Sequence, residues 1–153
     1  MEYHAGFPLT YQAQVANLVC EGAFTRFPTL RVVLLEGVFA WLPHLMWSLD
    51  THWRSLQLEV PSLTRRPSEL IREHVVLGTQ PAVLPDDPGH LRALLDMVDA
   101  ERVLVYASDY PHWDFDSPKR SLPAEVPLAT RRRILGRNAL ELYRLAVPEP
   151  VAG

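Results

Sequence analysis

Residues Ser108-Asp109-Tyr110-Pro111-His112-Trp113-Asp114 gather five side chains able to hold a metal ion, a proton or a polar ligand. They follow directly on Val103-Leu104-Val105-Tyr106-Ala107, an apolar run rich in β-branched residues that reads as a buried strand. In parallel α/β folds the chemistry sits just past the carboxyl ends of the strands, so Asp109 stands where a catalytic group is expected. The same residues also suit a structural part, with Asp109 capping a helix or turning the chain and Pro111 fixing the bend. Spacing alone leaves both readings open.

Two other apolar segments end in the same way. Leu30 to Leu35 reads as a buried strand running into Glu36-Gly37, and His74 to Leu77 as one running into Gly78-Thr79-Gln80-Pro81. Helical patterns alternate with these strands. Tyr11 to Phe27 places Val15, Leu18, Val19, Gly22 and Ala23 on one face, and Leu42 to Leu58 does so with Leu42, Leu45, Met46, Leu49, Trp53 and Leu56. His44 and His52 fall off that stripe and read as exposed, whereas Met46, Trp47 and Trp53 read as core. A short helix from Glu69 to Glu73 has Ser68 as its cap, and Leu91, Leu94, Leu95 and Val98 line a further helix. A basic helix from Leu128 to Leu135 is expected to stop at Gly136, with Asn138 capping the last helix. Residues 1–10 show no periodic pattern and read as a loop carrying His4 into the first helix. Alternating strands and helices argue for a parallel α/β sheet within one domain over residues 1–147, followed by a disordered tail over 148–153.

Composition narrows the function. The chain has 153 residues, 48% of them apolar, and a net charge of −3, which suits a packed globular domain and argues against nucleic acid as a partner. The Arg131-Arg132-Arg133 run is short and reads as a solvated helix face. Cys20 is the single cysteine, so neither an internal disulfide nor a zinc knuckle is available. The first residues lack the pattern of a signal peptide and no apolar run is long enough for a bilayer, so a soluble cytoplasmic protein is expected. Dinucleotide, P-loop, G-x-S-x-G and H-E-x-x-H motifs are absent, and Ser108 as a nucleophile has only His112 nearby to act as base.

Phe24 to Gly37, Trp41 to Trp47, Gln80-Pro81, Ser108 to Asp114 and Asn138-Ala139 together resemble the amidohydrolase-2 family of metal-dependent (β/α)8 barrels. That family includes aminocarboxymuconate-semialdehyde decarboxylase and resorcylate decarboxylases. The resemblance runs in the family's order from about Phe24 to Leu145, and it implies a metal-dependent hydrolase or decarboxylase acting on a small carboxylated or aromatic molecule. It matches Asp109 to the aspartate ending the last barrel strand, which binds a divalent metal, zinc or manganese, or takes a proton from its water. Glu36 and His112 are the other candidate catalytic groups, Trp113, Gln80 and Trp41 the candidate pocket residues, and His4 a second candidate metal ligand. The family opens with a His-x-His pair that this chain does not contain, and Glu36 stands where its decarboxylases carry a histidine.

A complete barrel needs about 250 residues. This chain therefore reads as the C-terminal part alone, with strands six, seven and eight of an incomplete barrel. Its outer strands are expected to present open edges, so the chain reads as a truncated or mis-split product of a longer gene, or as one whose edges a partner chain or a second copy covers. The competing expectation is a non-catalytic half-barrel that lacks a complete metal site.

Overall fold

The computed structural model describes residues 1–146, so the tail expected over 148–153 lies outside the described residues. Three strands form one parallel sheet: β1 (Val32–Leu34), β2 (Val75–Gly78) and β3 (Leu104–Val105), in the order β1-β2-β3. Sequential order with helical crossovers is the α/β winding that an arc of a barrel also has. The segments of Val32, Val76 and Val105 lie side by side in one direction, as expected. Register pairs Val33 with Val76 and Leu34 with Leu77, then Leu77 with Leu104 and Gly78 with Val105.

The helices are α1 (Glu2–Cys20), α2 (Ala23–Arg26), α3 (Leu42–Leu56), α4 (Pro67–His74), α5 (Pro88–Val98), α6 (Ala100–Val103), α7 (Leu128–Arg132) and α8 (Asn138–Tyr143). One core joins them to the sheet, in which Val15, Val19, Phe24, Leu42, Met46, Ile71, Leu77, Val98, Leu104 and Ile134 are buried. Trp47, expected in that core, is half exposed, because it falls on the solvent side of α3 while Met46 takes the inward position. No helix among the described residues is long and apolar enough to cross a membrane.

Several element boundaries differ from expectation for local reasons. Residues 1–10 are helical rather than a loop: α1 continues through Pro8, whose missing N–H forfeits one intrahelical bond. Tyr3, Phe7 and Tyr11, spaced four apart, bring their rings to 5.4 Å from one another along one face and hold the helix in step. Ser68 does not cap α4. Its N–H and hydroxyl donate to the two carboxylate oxygens of Asp50 in α3, at 2.9 and 2.8 Å. His74 closes α4 instead of opening a strand; its buried ring stacks on Phe24 and donates from Nδ1 to the Leu30 carbonyl at 2.7 Å.

Gly136 does not stop a helix. A widened turn over Arg133–Arg137 joins α7 to α8 without a break, and this turn completes the sheet. The Tyr106 N–H donates to the Ile134 carbonyl at 2.9 Å, and Asn138 Nδ2 donates to the Leu104 carbonyl at 2.7 Å. Asn138 is therefore a buried plug on the outer side of β3 rather than a helix cap, and the edge expected to be open there is met by the chain itself. Asn138→Ala should leave the Leu104 carbonyl buried without a partner and lower stability by about 1–3 kcal/mol. A urea unfolding midpoint unchanged from wild type would show that this plug contributes nothing.

Candidate functional site

Because the strands run parallel in sequential order, the residues just past them arrive at one end. Glu36, Gln80 and Asp109 follow β1, β2 and β3, and all three line a cleft of about 330 Å³. His112, Trp113 and Asp114 come from the loop after Asp109, and Tyr3, His4 and Phe7 from α1. The structure thus brings together six of the seven residues singled out from sequence. Trp41 is the exception. It is buried in the core, with its indole N–H donating to the Gly37 and Val38 carbonyls at 2.8 and 3.1 Å, and it lies outside the cleft lining. Its part is to hold the turn beneath Glu36, and the tryptophan that reaches the cleft, Trp113, is largely exposed at its rim.

The backbone is strained here. Glu36, Val38 and Asp109 have φ of 63°, 56° and 58°, a left-handed conformation that a β-branched valine adopts only when its surroundings impose it. The imposition around β1 comes from both sides of the turn. The Tyr11 hydroxyl donates to the Leu35 carbonyl at 2.6 Å, and the Tyr11 ring lies where a Cβ on Gly37 would come within 2.9 Å of it, so only glycine fits between Glu36 and Val38. Burial, and then the nearby Glu36 carboxylate, raises the Tyr11 phenol above its ordinary pKa, so it stays protonated and keeps donating.

The loop after Asp109 is tied at its base by Asp116, a residue that no motif singled out. Its N–H donates to the Ser108 carbonyl at 2.9 Å, its carbonyl accepts from the Tyr106 hydroxyl at 2.5 Å, and its Oδ2 accepts from the Ala82 N–H at 3.2 Å. Burial raises the carboxyl of Asp116 above its ordinary pKa, outweighing the Ala82 bond that opposes it. The Gln80–Pro81 and Tyr110–Pro111 peptide bonds on either side are cis. Gln80 is 2% exposed, with Nε2 3.5 Å from the Asp114 carbonyl and a buried Oε1 that has no partner among the described residues.

Within the loop, His112 Nδ1 lies 2.8 Å from Asp109 Oδ2, and the His112 N–H donates to the Asp109 carbonyl at 2.9 Å. The side-chain bond to Asp109, reinforced by that carboxylate's charge, raises the His112 imidazole above its ordinary 6.5. Asp109, His112 and Asp114 each offer a ligand atom, and these atoms lie within 4.8 Å of one another. Two carboxylates and an imidazole form a donor set that suits zinc, manganese or a similar divalent cation, so the residues present fit such an ion. His4, expected as a ligand, stands on the α1 wall outside this group. Asp114 was visible only as a polar residue in the motif, since three-residue spacing in an irregular loop does not reveal which side chains converge.

The Amidohydrolase family model matches residues 4–145. The chain belongs to the amidohydrolase family. No curated protein sequence matches it. Among solved structures it is similar to a 5-carboxyvanillate decarboxylase from Sphingomonas paucimobilis, with TM-score 0.67, 21% identity and coverage of 92% of this chain and 42% of that one. It is also similar to an amidohydrolase from Mycobacterium avium subsp. paratuberculosis K-10, with TM-score 0.67, 23% identity and coverage of 89% of this chain and 34% of that one. A third is a dihydroxybenzoic acid decarboxylase from Polaromonas sp. JS666 with bound manganese and the inhibitor 2-nitroresorcinol, with TM-score 0.67, 19% identity and coverage of 90% and 41%. These likenesses establish a shared fold, and this amidohydrolase spans less than half the length of each neighbour.

The Asp109–His112 bond sets a pH dependence. A folded-state pKa above the ordinary value means that the imidazolium persists to higher pH, and that whatever stability the pair contributes is lost as pH rises through that midpoint. An NMR titration of the His112 ring should give a midpoint above 6.5, returning toward it in Asp109→Asn. A midpoint at or below the ordinary value in wild type would show that the bond does not persist in solution.

Proposed function

We propose that this chain forms strands six, seven and eight of an amidohydrolase-type (β/α)8 barrel, and that its cleft is the corresponding part of a metal-dependent active site for a small carboxylated or aromatic molecule. The supporting observation is the convergence of Glu36, Gln80 and Asp109 past three consecutive parallel strands, beside a three-donor group. The reaction class is hydrolysis or decarboxylation, the latter favoured by the two decarboxylases among the structural neighbours.

Asp109, Asp114 and His112 would hold the cation, zinc or manganese. When bound, it supplies Lewis-acid polarisation of a substrate oxygen or of water. His112 would have to offer a ring-nitrogen lone pair and so give up a proton, and Asp109, which now pairs with the imidazole at 2.8 Å, would offer its carboxylate to the cation instead. Glu36, held at the cleft by its strained turn, is placed to give or take a proton at the substrate. Gln80 stands buried in the cleft wall, with its amide nitrogen 3.5 Å from the Asp114 carbonyl. Phe7, Tyr3 and Trp113 supply flat apolar surface for an aromatic ring. A partner chain or a second copy supplies the remaining wall.

The second reading, a half-barrel that is not catalytic by itself, is favoured by the absence of His-x-His from the sequence and by the exposure of the His112 side chain, 65%. Metal analysis and turnover separate the two. After manganese or zinc loading, one tightly held ion per chain is expected, with affinity lowered at least about tenfold in Asp109→Asn and in Asp114→Asn. Carbon dioxide release from dihydroxybenzoate or 5-carboxyvanillate tests catalysis on the loaded protein. A chain that retains no ion after loading overturns the metal site, and a loaded chain without turnover leaves the non-catalytic reading standing.

A further inference from the structure

The opposite end of the sheet carries a second concentration of charge, of the other sign. An arginine stands shortly before each strand: Arg31 before β1, Arg72 in the last turn of α4 before β2, and Arg102 in α6 before β3. Parallel strands in sequential order bring their entry points together, as they do their exits, and Arg133 reaches the same place from the turn after α7. These four arginines line a cleft of about 300 Å³ with Glu73, Glu141, Asn138 and the sheet residues Val76 and Val105.

The two glutamates do not neutralise it. Glu141 is engaged by Arg133, with 2.8 and 2.9 Å contacts to Nη1 and Nη2. Glu73 is engaged by Arg65, from outside the cleft, at 2.8 Å, and that bond lowers its pKa. Arg102 has Asp99 at 3.5 Å. Arg31 and Arg72 have no carboxylate within ion-pair distance among the described residues. Arg31 donates to its own Leu30 carbonyl, and Asn138, buried in the cleft lining, keeps Oδ1 without a partner. Among the described residues Arg31 and Arg72 thus lack an ion-pair partner beside apolar sheet, in a chain whose net charge is −3, although the charge of Arg31 helps to lower the nearby Glu73 carboxyl. Planar guanidinium forks match the oxygens of a tetrahedral oxyanion in pairs, and an anion of two or more charges engages two forks at once.

We propose that this arginine cleft binds a multiply charged phosphate-class oxyanion, at the end of the sheet opposite the metal-dependent site and independently of it. Arg31 and Arg72 are the principal contacts, and Arg102 turns from Asp99 to join them. A free phosphate and the phosphoryl groups of a larger molecule share this chemistry.

Calorimetric titration of the full chain with orthophosphate, pyrophosphate and adenosine diphosphate, at ionic strength held constant with chloride, tests the assignment. Saturable binding of one pyrophosphate per chain, tighter than orthophosphate, is expected, and comparable binding of the nucleotide would assign the site to phosphoryl groups of larger molecules. Arg31→Gln and Arg72→Gln should each weaken pyrophosphate about tenfold or more, as loss of one charge-assisted bond requires. Arg92→Gln, on exposed α5, should not. Thermal unfolding checks that the variants fold, and in wild type the arginine Nε–H resonances of Arg31 and Arg72 should move with pyrophosphate while that of Arg92 does not. The proposal falls if no saturable binding occurs, or if Arg92→Gln weakens it equally. It falls also if the arginine variants alter only self-association in sedimentation, which would make the cleft an interface between copies.

Discussion

The register of the central strand is the constraint on which the molecule depends. Val75, Val76 and Leu77 are held against Val32, Val33 and Leu34, and Leu77 and Gly78 against Leu104 and Val105. Because side chains alternate across a sheet, a slip of one residue would turn Leu77 and Leu104 from the core to the opposite face. The same register decides which residues come off the sheet together. The ladder runs out where the Thr79 N–H donates to the Val105 carbonyl at 3.0 Å. Beyond that bond the backbone must find other partners, and it does so in the loops that carry Glu36, Gln80 and Asp109.

Those loops are irregular but not loose. Three non-glycine residues at positive φ line a single cleft, at a cost of about 1–3 kcal/mol each. A left-handed Val38 persists because Trp41 binds the carbonyls of Gly37 and Val38 from below while Tyr11 closes over Gly37 from above. Asp116 does the corresponding work after β3, fastening Ser108, Tyr106 and Ala82 through its backbone and its carboxylate. Strain of this kind at the mouth of a cleft holds functional groups where a relaxed turn would not place them. Asp109 is both a strained residue and a member of the three-donor group.

What the sequence revealed, and what it hid, follows from the range of the interactions involved. Buried parallel strands write themselves as apolar runs, so all three were legible, and their polar ends gave Glu36, Gln80 and Asp109 without coordinates. Strand lengths were overestimated because apolar residues continue past the hydrogen bonds: Val103 closes a helix and Tyr106 already bonds to the turn after α7. Residues 1–10 showed no periodic pattern and read as a loop, which the aromatic ladder of α1 overrides. Ser68, Gly136 and Asn138 each matched a capping rule, yet Asp50, the widened turn and the Leu104 carbonyl claimed them. Capping rules describe neighbours along the chain, whereas the partners of Ser68 and Asn138 lie 18 and 34 residues away. Trp41 was misplaced for the same reason. Nothing in its spacing distinguishes an indole facing the cleft from one supporting the turn beneath it.

The cleft as it stands has one wall. Asp109 is largely covered, but His112 and Trp113 face solvent, and in that setting a carboxylate, an imidazole and any bound cation are screened by water. Electrostatic stabilisation of a developing charge is strong when preorganised groups act where water is excluded, and it weakens steeply as the effective dielectric rises. The three-donor group at this cleft therefore stands in water that weakens its electrostatics. At its outer side β3 is already satisfied by Asn138 and Ile134, so a completing surface gains little there from backbone pairing. Its available contacts are the cleft rim and the outer side of β1. A surface that closed the cleft would also remove the solvent that now weakens its charges.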